Sequence, residues 1–194
     1  RNLDDNVGRV LQALEETGEL DNTLIFYFSD HGDLIGSHGL NGKGRPEHES
    51  SRIPLIAYGP GIPGGIVSDA LVSSTDFMPT ILGLTSARLP EDMDGSDLSG
   101  SLFKEKSTGA PYVLIQYDKA FFHQGYDECF RTLITPEWEY TYYLKQGPYQ
   151  LFAMKDDPYQ LNNLVHDEKH AKVREEMHGK LFALLDKEKD PFAK

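Results

Sequence analysis

The chain has 194 residues, 39% of them hydrophobic, and a formal net charge of −12. This composition is typical of a folded protein with one good core, or with one domain and a small appendage, and it argues against intrinsic disorder. The negative charge argues against nucleic acids and anionic membranes as partners, because phosphate binding needs clustered Lys and Arg. No apolar run approaches the roughly 20 residues of a membrane helix. The single cysteine, Cys129, excludes an internal disulfide.

The first elements indicate an α/β fold. Apolar residues recur at helical spacing from Leu3 onward, which predicts an amphipathic helix that runs to about Glu16 and ends near Gly18. Because Arg1 already falls inside this pattern, we expect the sequence to be a fragment of a longer protein. After a short turn, residues 24–28 form a continuous apolar run, which is typical of a strand buried on both faces in a parallel sheet. Helix, loop and strand together predict the αβ part of a doubly wound unit.

The next segment alternates between loop and structured elements. Residues 31–51 are rich in Gly, His and charge and show no periodicity, and a loop of this length in a compact domain is usually functional or disordered. A second strand is predicted at 53–58 and a short strand at 68–72. A helix follows, and Thr75 or Asp76 is predicted to cap it.

The last part of the chain predicts a small antiparallel sheet and a terminal helix. The apolar runs of this sheet are residues 112–117, 130–134, 138–144 and 149–154. In the third run apolar and polar residues alternate, which predicts a half-buried strand whose Trp138 face packs on the α/β part. Gly147-Pro148 is predicted to form the turn before the last strand. We therefore expect two domains, 1–109 and 110–194.

The residues that carry chemistry follow the 24–28 strand directly. Ligands of such sheets bind beyond the carboxyl ends of the strands, which is where Asp30 and His31 stand. Gly32 then allows a sharp turn, so the two side chains can converge on one ion. Taken alone, Asp30 fits the cap of a turn better than a metal ligand. Lys43, in the loop that follows, fits an ordinary solvated surface residue.

The motif around these residues makes the resemblance specific. The chain has the pattern SDHGDxxGxHGLxxKG at residues 29–44 and ESxRIPLI at residues 49–56. These two segments resemble the second signature region of the formylglycine-dependent sulfatases, which belong to the alkaline phosphatase superfamily. The resemblance covers nearly the whole chain but only the C-terminal part of the family's length. The first signature of the family, a Cys-x-Pro-x-Arg segment whose Cys becomes the nucleophile, is absent.

The resemblance implies a role for several residues. Asp30 and His31 correspond to metal ligands, and His31 and Lys43 to catalytic groups. Lys43 corresponds to a lysine of the family that contacts the sulfate, and His38 is a candidate substrate contact. His123 is a further candidate, because loops of this subdomain help to shape the substrate mouth in the family, although it also fits an ordinary polar loop. The implied cofactor is a divalent cation, Ca²⁺ in the first place with Mg²⁺ or Mn²⁺ as alternatives, although an imidazole ligand suits Mn²⁺ or Zn²⁺ better than Ca²⁺. Formylglycine is expected only in the missing N-terminal part.

Other polar residues of the region have simpler interpretations. Asp33 is predicted to brace the loop by accepting backbone amides, and His38 fits a loop-bracing role as well as a substrate contact. Glu49 and Arg52 are predicted to form an ion pair that holds the loop. Cys129 fits a buried small hydrophobe better than a nucleophile. Three histidines near the chain end are interpreted as surface residues, namely His166, His170 and His178.

The resemblance implies an α/β fold of the alkaline phosphatase type, with a partial mixed sheet flanked by helices, followed by a small antiparallel sheet plus helix. Three functional hypotheses follow. The first is the C-terminal part of a sulfatase that hydrolyses sulfate esters of sugars or aryl groups and needs its missing N-terminal part, so that this chain alone is inactive. The second is a phosphonate or phosphodiester hydrolase of the same superfamily. The third is a truncated module that binds anions or partners without catalysis. The family resemblance implies a secreted, periplasmic or lysosomal protein, and the sequence itself leaves the compartment open.

Overall fold

The computed structural model describes residues 1–104, 109–118 and 129–193. The helices in these ranges are Asn2–Thr17 (α1), His48–Ser51 (α2), Phe77–Leu84 (α3) and Ala171–Lys187 (α4). The strands are Ile25–Phe28 (β1), Leu55–Tyr58 (β2), Val113–Tyr117 (β3), Phe130–Ile134 (β4), Trp138–Tyr143 (β5) and Gly147–Ala153 (β6). They form two antiparallel sheets, β1-β2 and β3-β4-β5-β6. Within the described residues no helix has both the length and the apolar character needed to cross a membrane.

The predicted N-terminal helix is present and ends where glycine allows it to end. Gly18 adopts a left-handed conformation with φ of 72°, which costs a residue without Cβ nothing. Its N–H donates to the carbonyl of Glu15, and the next N–H donates to that of Leu14. The helix buries none of its residues, and Val10 is 61% exposed. Its apolar stripe is therefore an open surface of the part of the chain that the structure describes.

The β1 strand pairs in the opposite direction from the parallel arrangement that its sequence predicts. It pairs antiparallel with β2, with Ile25 opposite Tyr58 and Phe28 opposite Leu55. Phe28 is 47% exposed, so the strand is not buried on both faces within the described residues. A continuous apolar run reports that both faces are hydrophobic, but it carries no information on the direction of the neighbouring strand. The short strand predicted at 68–72 is reduced to a single bridge between Leu71 and Gly109.

Asp76, one of the two predicted caps, is the N-cap residue of α3, but its side chain makes its capping bond in the 3-10 turn that precedes the helix. Ser73 accepts a hydrogen bond from the Thr75 N–H, and the Asp76 carboxylate accepts one from the Ser73 N–H at 2.8 Å. This reciprocal arrangement is a capping box, which satisfies backbone donors that the first turn leaves without a helical partner. Asp76 also accepts from the Ser96 N–H at 2.8 Å, so it ties the following loop to the helix start.

The second sheet and α4 enclose the main hydrophobic core. Its members are buried aliphatic and aromatic side chains of both elements and of the chain end, namely Leu133, Tyr140, Leu151, Val165, Met177, Leu181, Leu185 and Phe192. Full burial of one such side chain contributes about 1.5–3 kcal/mol to folding. The predicted turn at Gly147-Pro148 is wrong in position, because Gly147 pairs with Tyr143 and already belongs to β6. Residues 144–146 make the turn instead.

The two faces of β5 are used in the opposite way from the prediction. Trp138 lies on the α4 side, where its ring centroid is 5.9 Å from that of His170 and it packs against the core. The other face carries Glu139 and Thr141, both completely buried, and Glu139 contacts His48 of α2. The predicted packing of the Trp138 face on the α/β part is therefore wrong. Alternation separates the two faces of a strand, but it does not tell which face meets which neighbour.

A buried arginine holds the chain end against the same sheet. Arg131 on β4 donates to both oxygens of Asp190, with the Nε bond at 2.8 Å, and also to Asp118. Its guanidinium lies 4.1 Å from the ring centroid of Phe192, a distance at which cations and aromatic faces attract. The segment after α4 is thus anchored by an ion pair and a ring contact together.

Candidate functional site

The turn after β1 presents an ionised carboxylate at the end of the strand. Asp30 accepts the N–H of His31 at 2.9 Å and the hydroxyl of Ser29 at 3.3 Å. The bond from the His31 N–H holds the pKa of Asp30 below its ordinary value, so the group stays charged at neutral pH. The side chain is 83% exposed, which leaves its oxygens open to a ligand.

The His31 ring is oriented by a backbone carbonyl. Its Nδ1 lies 2.7 Å from the carbonyl oxygen of Gly32, which can only accept, so Nδ1 carries the hydrogen. The Nε2 atom therefore presents a lone pair. This lone pair lies 2.6 Å from the Lys43 Nζ, which donates to it, and 3.3 Å from the Asp30 Oδ2. Asp30, His31 and Lys43 are thus brought together at one point.

The loop that delivers Lys43 is braced from inside. Asp33 accepts the N–H of Ile35 at 3.1 Å and that of Gly42 at 3.2 Å, the arrangement predicted for it. The N–H of Leu34 donates to the Gly42 carbonyl at 2.8 Å, and the Leu34 side chain is buried. These bonds close the loop directly before Lys43, and so fix the point from which this side chain reaches His31.

Gly32 allows α2 to approach the turn. Its N–H donates to the carbonyl of Ser50 at 2.9 Å, and a Cβ at this position would collide with the carbonyl of Glu49. A residue other than glycine would have to displace the backbone of α2. The identity of Gly32 is thus set by close approach as well as by the turn.

His38 lies apart from the group formed by Asp30, His31 and Lys43. Its Nε2 is 3.2 Å from the Glu49 Oε2, and its side chain is only 16% exposed. Glu49 therefore pairs with His38, and the predicted Glu49–Arg52 ion pair is wrong, because α2 turns the Glu49 carboxylate towards the loop. This geometry favours the loop-bracing interpretation of His38. His123, the other predicted substrate contact, lies outside the described residues.

Asp30 and His31 fit part of the ligand set of a divalent cation. One carboxylate oxygen and one imidazole lone pair stand 3.3 Å apart, and an imidazole whose other nitrogen donates to a carbonyl is the usual arrangement at metal sites. Among the described residues, no group of three or more His, Cys, Asp or Glu could hold a metal ion. A complete coordination shell would need ligands beyond this pair, since Ca²⁺ takes 6–8 oxygens.

One buried group was missed by the sequence analysis. His48 of α2 has its Nε2 2.8 Å from the Glu139 Oε2, and Gln160 donates to the Glu139 Oε1 at 2.7 Å. Burial raises the pKa of Glu139 above its ordinary value, although the bond with His48 opposes this shift. The alternation in β5 indicated that Glu139 faces solvent, and no local signal shows that a residue 91 positions earlier covers it.

Comparisons with known proteins agree with the motif. The sequence model of the family described as Sulfatase matches residues 1–87. The chain is 31% identical over 172 residues to an arylsulfatase of Clostridium perfringens, which covers 87% of this chain and 34% of the relative. It is 32% identical over 179 residues to an N-acetylglucosamine-6-O-sulfatase of Bacteroides thetaiotaomicron, which covers 90% of this chain and 32% of the relative. The chain thus spans about a third of the length of these curated relatives.

Solved structures give the same answer for the fold. A structure in complex with its substrate D-glucosamine-2-N,6-O-disulfate has a TM-score of 0.88 and 30% identity, and the match covers 98% of this chain and 40% of that one. A phosphonate monoester hydrolase of Agrobacterium radiobacter has a TM-score of 0.77 and 26% identity, with 95% of this chain and 39% of that one covered. The α/β fold is therefore that of the alkaline phosphatase superfamily. Within this superfamily, the chain is similar to the sulfatases, whose family model matches its first 87 residues.

Proposed function

We propose that this chain is the part of a sulfatase that contributes metal ligands and a sulfate-binding cation to the hydrolysis of sulfate esters. The observation that carries the proposal is the meeting of the Asp30 carboxylate, the His31 Nε2 and the Lys43 ammonium at the end of β1. A negative, a neutral and a positive group at one point can serve a cation and an anionic ester oxygen side by side.

Each group has a defined task in this proposal. Asp30 stays ionised and His31 presents the lone pair of Nε2, so together they supply two ligands for a divalent cation. When bound, such a cation would act as a Lewis acid on the ester oxygens. Lys43 would hold a sulfate oxygen as a point charge and stabilise negative charge that develops there. The nucleophile, a formylglycine in this family, would come from another part of a longer enzyme.

The contact between Lys43 and His31 adds a constraint on the order of events. The His31 Nε2 has one lone pair, and the Lys43 Nζ uses it at 2.6 Å. This lone pair can serve either Lys43 or a cation, so loading of the site releases the Lys43 ammonium. The released ammonium, at the end of a flexible four-carbon stem, can then reach a sulfate oxygen. We propose that this exchange couples cation binding to substrate binding.

A sulfated sugar is the substrate class that the comparisons favour. One structural relative is a complex with a disulfated glucosamine, and one curated relative is an N-acetylglucosamine-6-O-sulfatase. An aryl sulfate remains the simpler alternative, because another relative is an arylsulfatase. The partner that completes the enzyme would be its N-terminal part, for which the exposed apolar stripe of α1 offers a surface.

A second candidate is phosphonate monoester hydrolysis, which the match to the Agrobacterium enzyme favours. The test compares this chain with a version extended upstream through a Cys-x-Pro-x-Arg segment, on glucosamine 6-sulfate, an aryl sulfate and a phenyl phosphonate. We expect cation-dependent release of sulfate by the extended chain only, and its loss in Lys43→Ala. Preferential turnover of the phosphonate would support the second candidate. Turnover by the short chain would contradict the proposal, and inactivity of both would favour a binding module.

A further inference from the structure

Three polar side chains join α2 to the second sheet, and we refer to them as the His48 cluster: His48, Glu139 and Gln160. The backbone N–H of His48 donates to the Gln160 Oε1 at 2.7 Å. The His48 Nε2 and the Glu139 Oε2 are 2.8 Å apart, and the Gln160 Nε2 donates to the Glu139 Oε1 at 2.7 Å. Each member therefore contacts the other two, so none of them can move alone.

The cluster is buried, and forming it costs folding free energy. Glu139 is fully buried and Gln160 is 3% exposed. Gln160 has a φ of 55°, a left-handed conformation that a residue with a side chain adopts at some cost. The His48 Nδ1 has no hydrogen-bond partner among the described residues. Buried charges and strained backbone are weak sources of stability, and one documented use of buried polar groups is to specify a single geometry.

A chain of short contacts leads from the cluster to the candidate site. The carbonyl of Ser50, two residues after His48, accepts the Gly32 N–H at 2.9 Å. The carbonyl of Gly32 accepts the His31 Nδ1–H at 2.7 Å. The position of α2 thus sets the position of Gly32, and the Gly32 carbonyl sets the orientation of the His31 ring. Glu49, on the same turn of helix, holds His38 through its side chain.

We propose that Glu139 is a positioning residue for His31, which it reaches through His48, α2 and the Gly32 carbonyl. The second sheet then holds the tautomer and ring orientation that the metal-ligand role of His31 requires, and in this respect the inference rests on the proposed function. The geometric part stands without it, because the contacts between Glu139 and Gly32 exist whatever the site binds.

The donors and acceptors in the His48 cluster suggest a substitution of Glu139 that keeps its hydrogen bonds. The Glu139 carboxylate only accepts when it is ionised, and in that state His48 donates its Nε2–H to it. In Glu139→Gln the amide NH₂ can donate to the Nε2, provided that the His48 hydrogen moves to the Nδ1, which has no partner among the described residues. The oxygen of the new amide still accepts from Gln160. Glu139→Gln therefore preserves the contacts, whereas Glu139→Ala removes them.

The test is native-state hydrogen exchange of the Gly32 amide in the full 194-residue chain, together with the ¹⁵N tautomer signature of His31. In Glu139→Ala we expect the Gly32 amide to exchange at least about tenfold faster than in the wild type, because its protecting helix opens locally, and the His31 signature to shift from pure Nδ1–H to a mixture. Glu139→Gln should restore both readouts. Thr132→Val is the matched control, since it removes a buried bond to Thr141 in the same sheet and leaves the contact between Glu139 and His48 in place.

The outcomes separate this inference from the proposed function. If Glu139→Ala does not fold, the double variant Glu139→Leu/His48→Phe replaces the pair by apolar groups, which a fold usually tolerates, and the same loss of Gly32 protection is expected. Unchanged exchange and tautomer in a folded Glu139 variant, or an equal change in Thr132→Val, would overturn the inference. A failure of the wild type to bind Mn²⁺ would count against the proposed function and leave these readouts intact.

Discussion

At the scale of single residues, a substitution at Gly32 tests how closely α2 packs on the turn after β1. A Cβ there would collide with the Glu49 carbonyl, so Gly32→Ala should lower the free energy of unfolding by about 1–3 kcal/mol, as overpacking usually does. Gly8→Ala is the control, because nothing lies near a Cβ at Gly8 in α1 and alanine is the better helix former. In the Gly8→Ala variant the free energy of unfolding should rise by about 0.5–1 kcal/mol. Urea denaturation measures both, and a Gly32→Ala chain as stable as the wild type would contradict the packing.

His178 gives a prediction about pH, because the surface location predicted for it is wrong. It packs against Tyr142 and Phe182, and burial lowers its pKa. In the unfolded chain the His178 imidazole takes up a proton near pH 6.5. In the folded chain it takes up this proton only at a lower pH. Stability is therefore present above about pH 6.5 and falls as the pH drops through this value.

In His178→Gln this fall should be smaller, which the melting temperature at about pH 7 and about pH 5.5 will show. Gln is chosen because its amide can replace the contact between the His178 Nδ1 and the Tyr140 hydroxyl, which are 3.0 Å apart. His166→Gln, at an exposed position, is the control and should keep the wild-type pH dependence. Equal slopes in the wild type and His178→Gln would contradict the burial effect.

The sequence predicted that the side chains of Asp30, His31 and Lys43 lie together better than it predicted which contacts hold them. The spacing of Asp30, His31 and Lys43 within one motif was readable, and the structure brings all three together. The sequence could not predict that the Gly32 carbonyl orients His31. Every residue has a carbonyl, and only the folded structure shows which one the His31 ring contacts. The pairing of His38 with Glu49 also depends on the turn of α2, which a loop without periodicity does not reveal.

At the scale of secondary-structure elements, Arg131 links β4 to the segment after α4. Burial disfavours the Asp190 carboxylate, but the hydrogen bonds from Arg131 outweigh this and lower its pKa. In Asp190→Asn the buried guanidinium would lose its buried partner, which should cost about 3–5 kcal/mol. Asp118→Asn removes the partner that is 57% exposed and should cost at most about 1 kcal/mol. Urea denaturation should rank the two in this order, and equal losses would contradict the assignment.

Some features of the secondary-structure elements could be predicted from the sequence and others could not. Helix α1 and the strands of the second sheet follow from periodicity, with Gly18 and the alternation in β5 as clear signals. The use of the two faces of β5 does not, because Glu139 is buried by His48 and Gln160, which are remote in sequence. Hydrophobic patterning reports burial by apolar neighbours and is silent where a polar group is buried by a polar partner.

At the scale of the whole molecule, the open surface of α1 predicts association. Val10 is 61% exposed on a helix that buries none of its residues, and Ile56 on β2 is also 61% exposed. Apolar surface of this kind marks a contact site, here for the rest of the enzyme or for a second copy. Sedimentation velocity of the 194-residue chain should show concentration-dependent association, which Val10→Glu should reduce. Arg9→Glu, next to Val10 on the same helix, is the control for charge, and a strictly monomeric wild type would contradict this prediction.

Lys43 offers a sign-specific test of the exchange at His31. If Lys43 and a cation compete for the Nε2 lone pair, Lys43→Ala should bind Mn²⁺ more tightly than the wild type, even though it loses sulfate binding. Removal of a nearby positive charge acts in the same direction. Lys180→Ala, which removes an exposed lysine paired with Glu176 on α4, should leave the affinity unchanged. Weaker Mn²⁺ binding by Lys43→Ala in isothermal titration would contradict the competition.

The central claim, that Asp30 and His31 share a cation, is tested most directly by Mn²⁺ titration of the ¹⁵N-histidine-labelled chain. Paramagnetic broadening should reach the His31 ring first, before His38 and His48, because the His31 Nε2 lone pair lies beside the exposed, ionised Asp30 carboxylate, whereas the Nε2 atoms of His38 and His48 pair with Glu49 and Glu139. In Asp30→Asn the same broadening should need at least about tenfold more Mn²⁺. Loss of a residue that only hydrogen-bonds to a metal ligand already lowers metal affinity by about that factor. Asp21→Asn, in the turn before β1, should titrate like the wild type. Simultaneous broadening of all histidines, or an unchanged titration in Asp30→Asn, would contradict the claim.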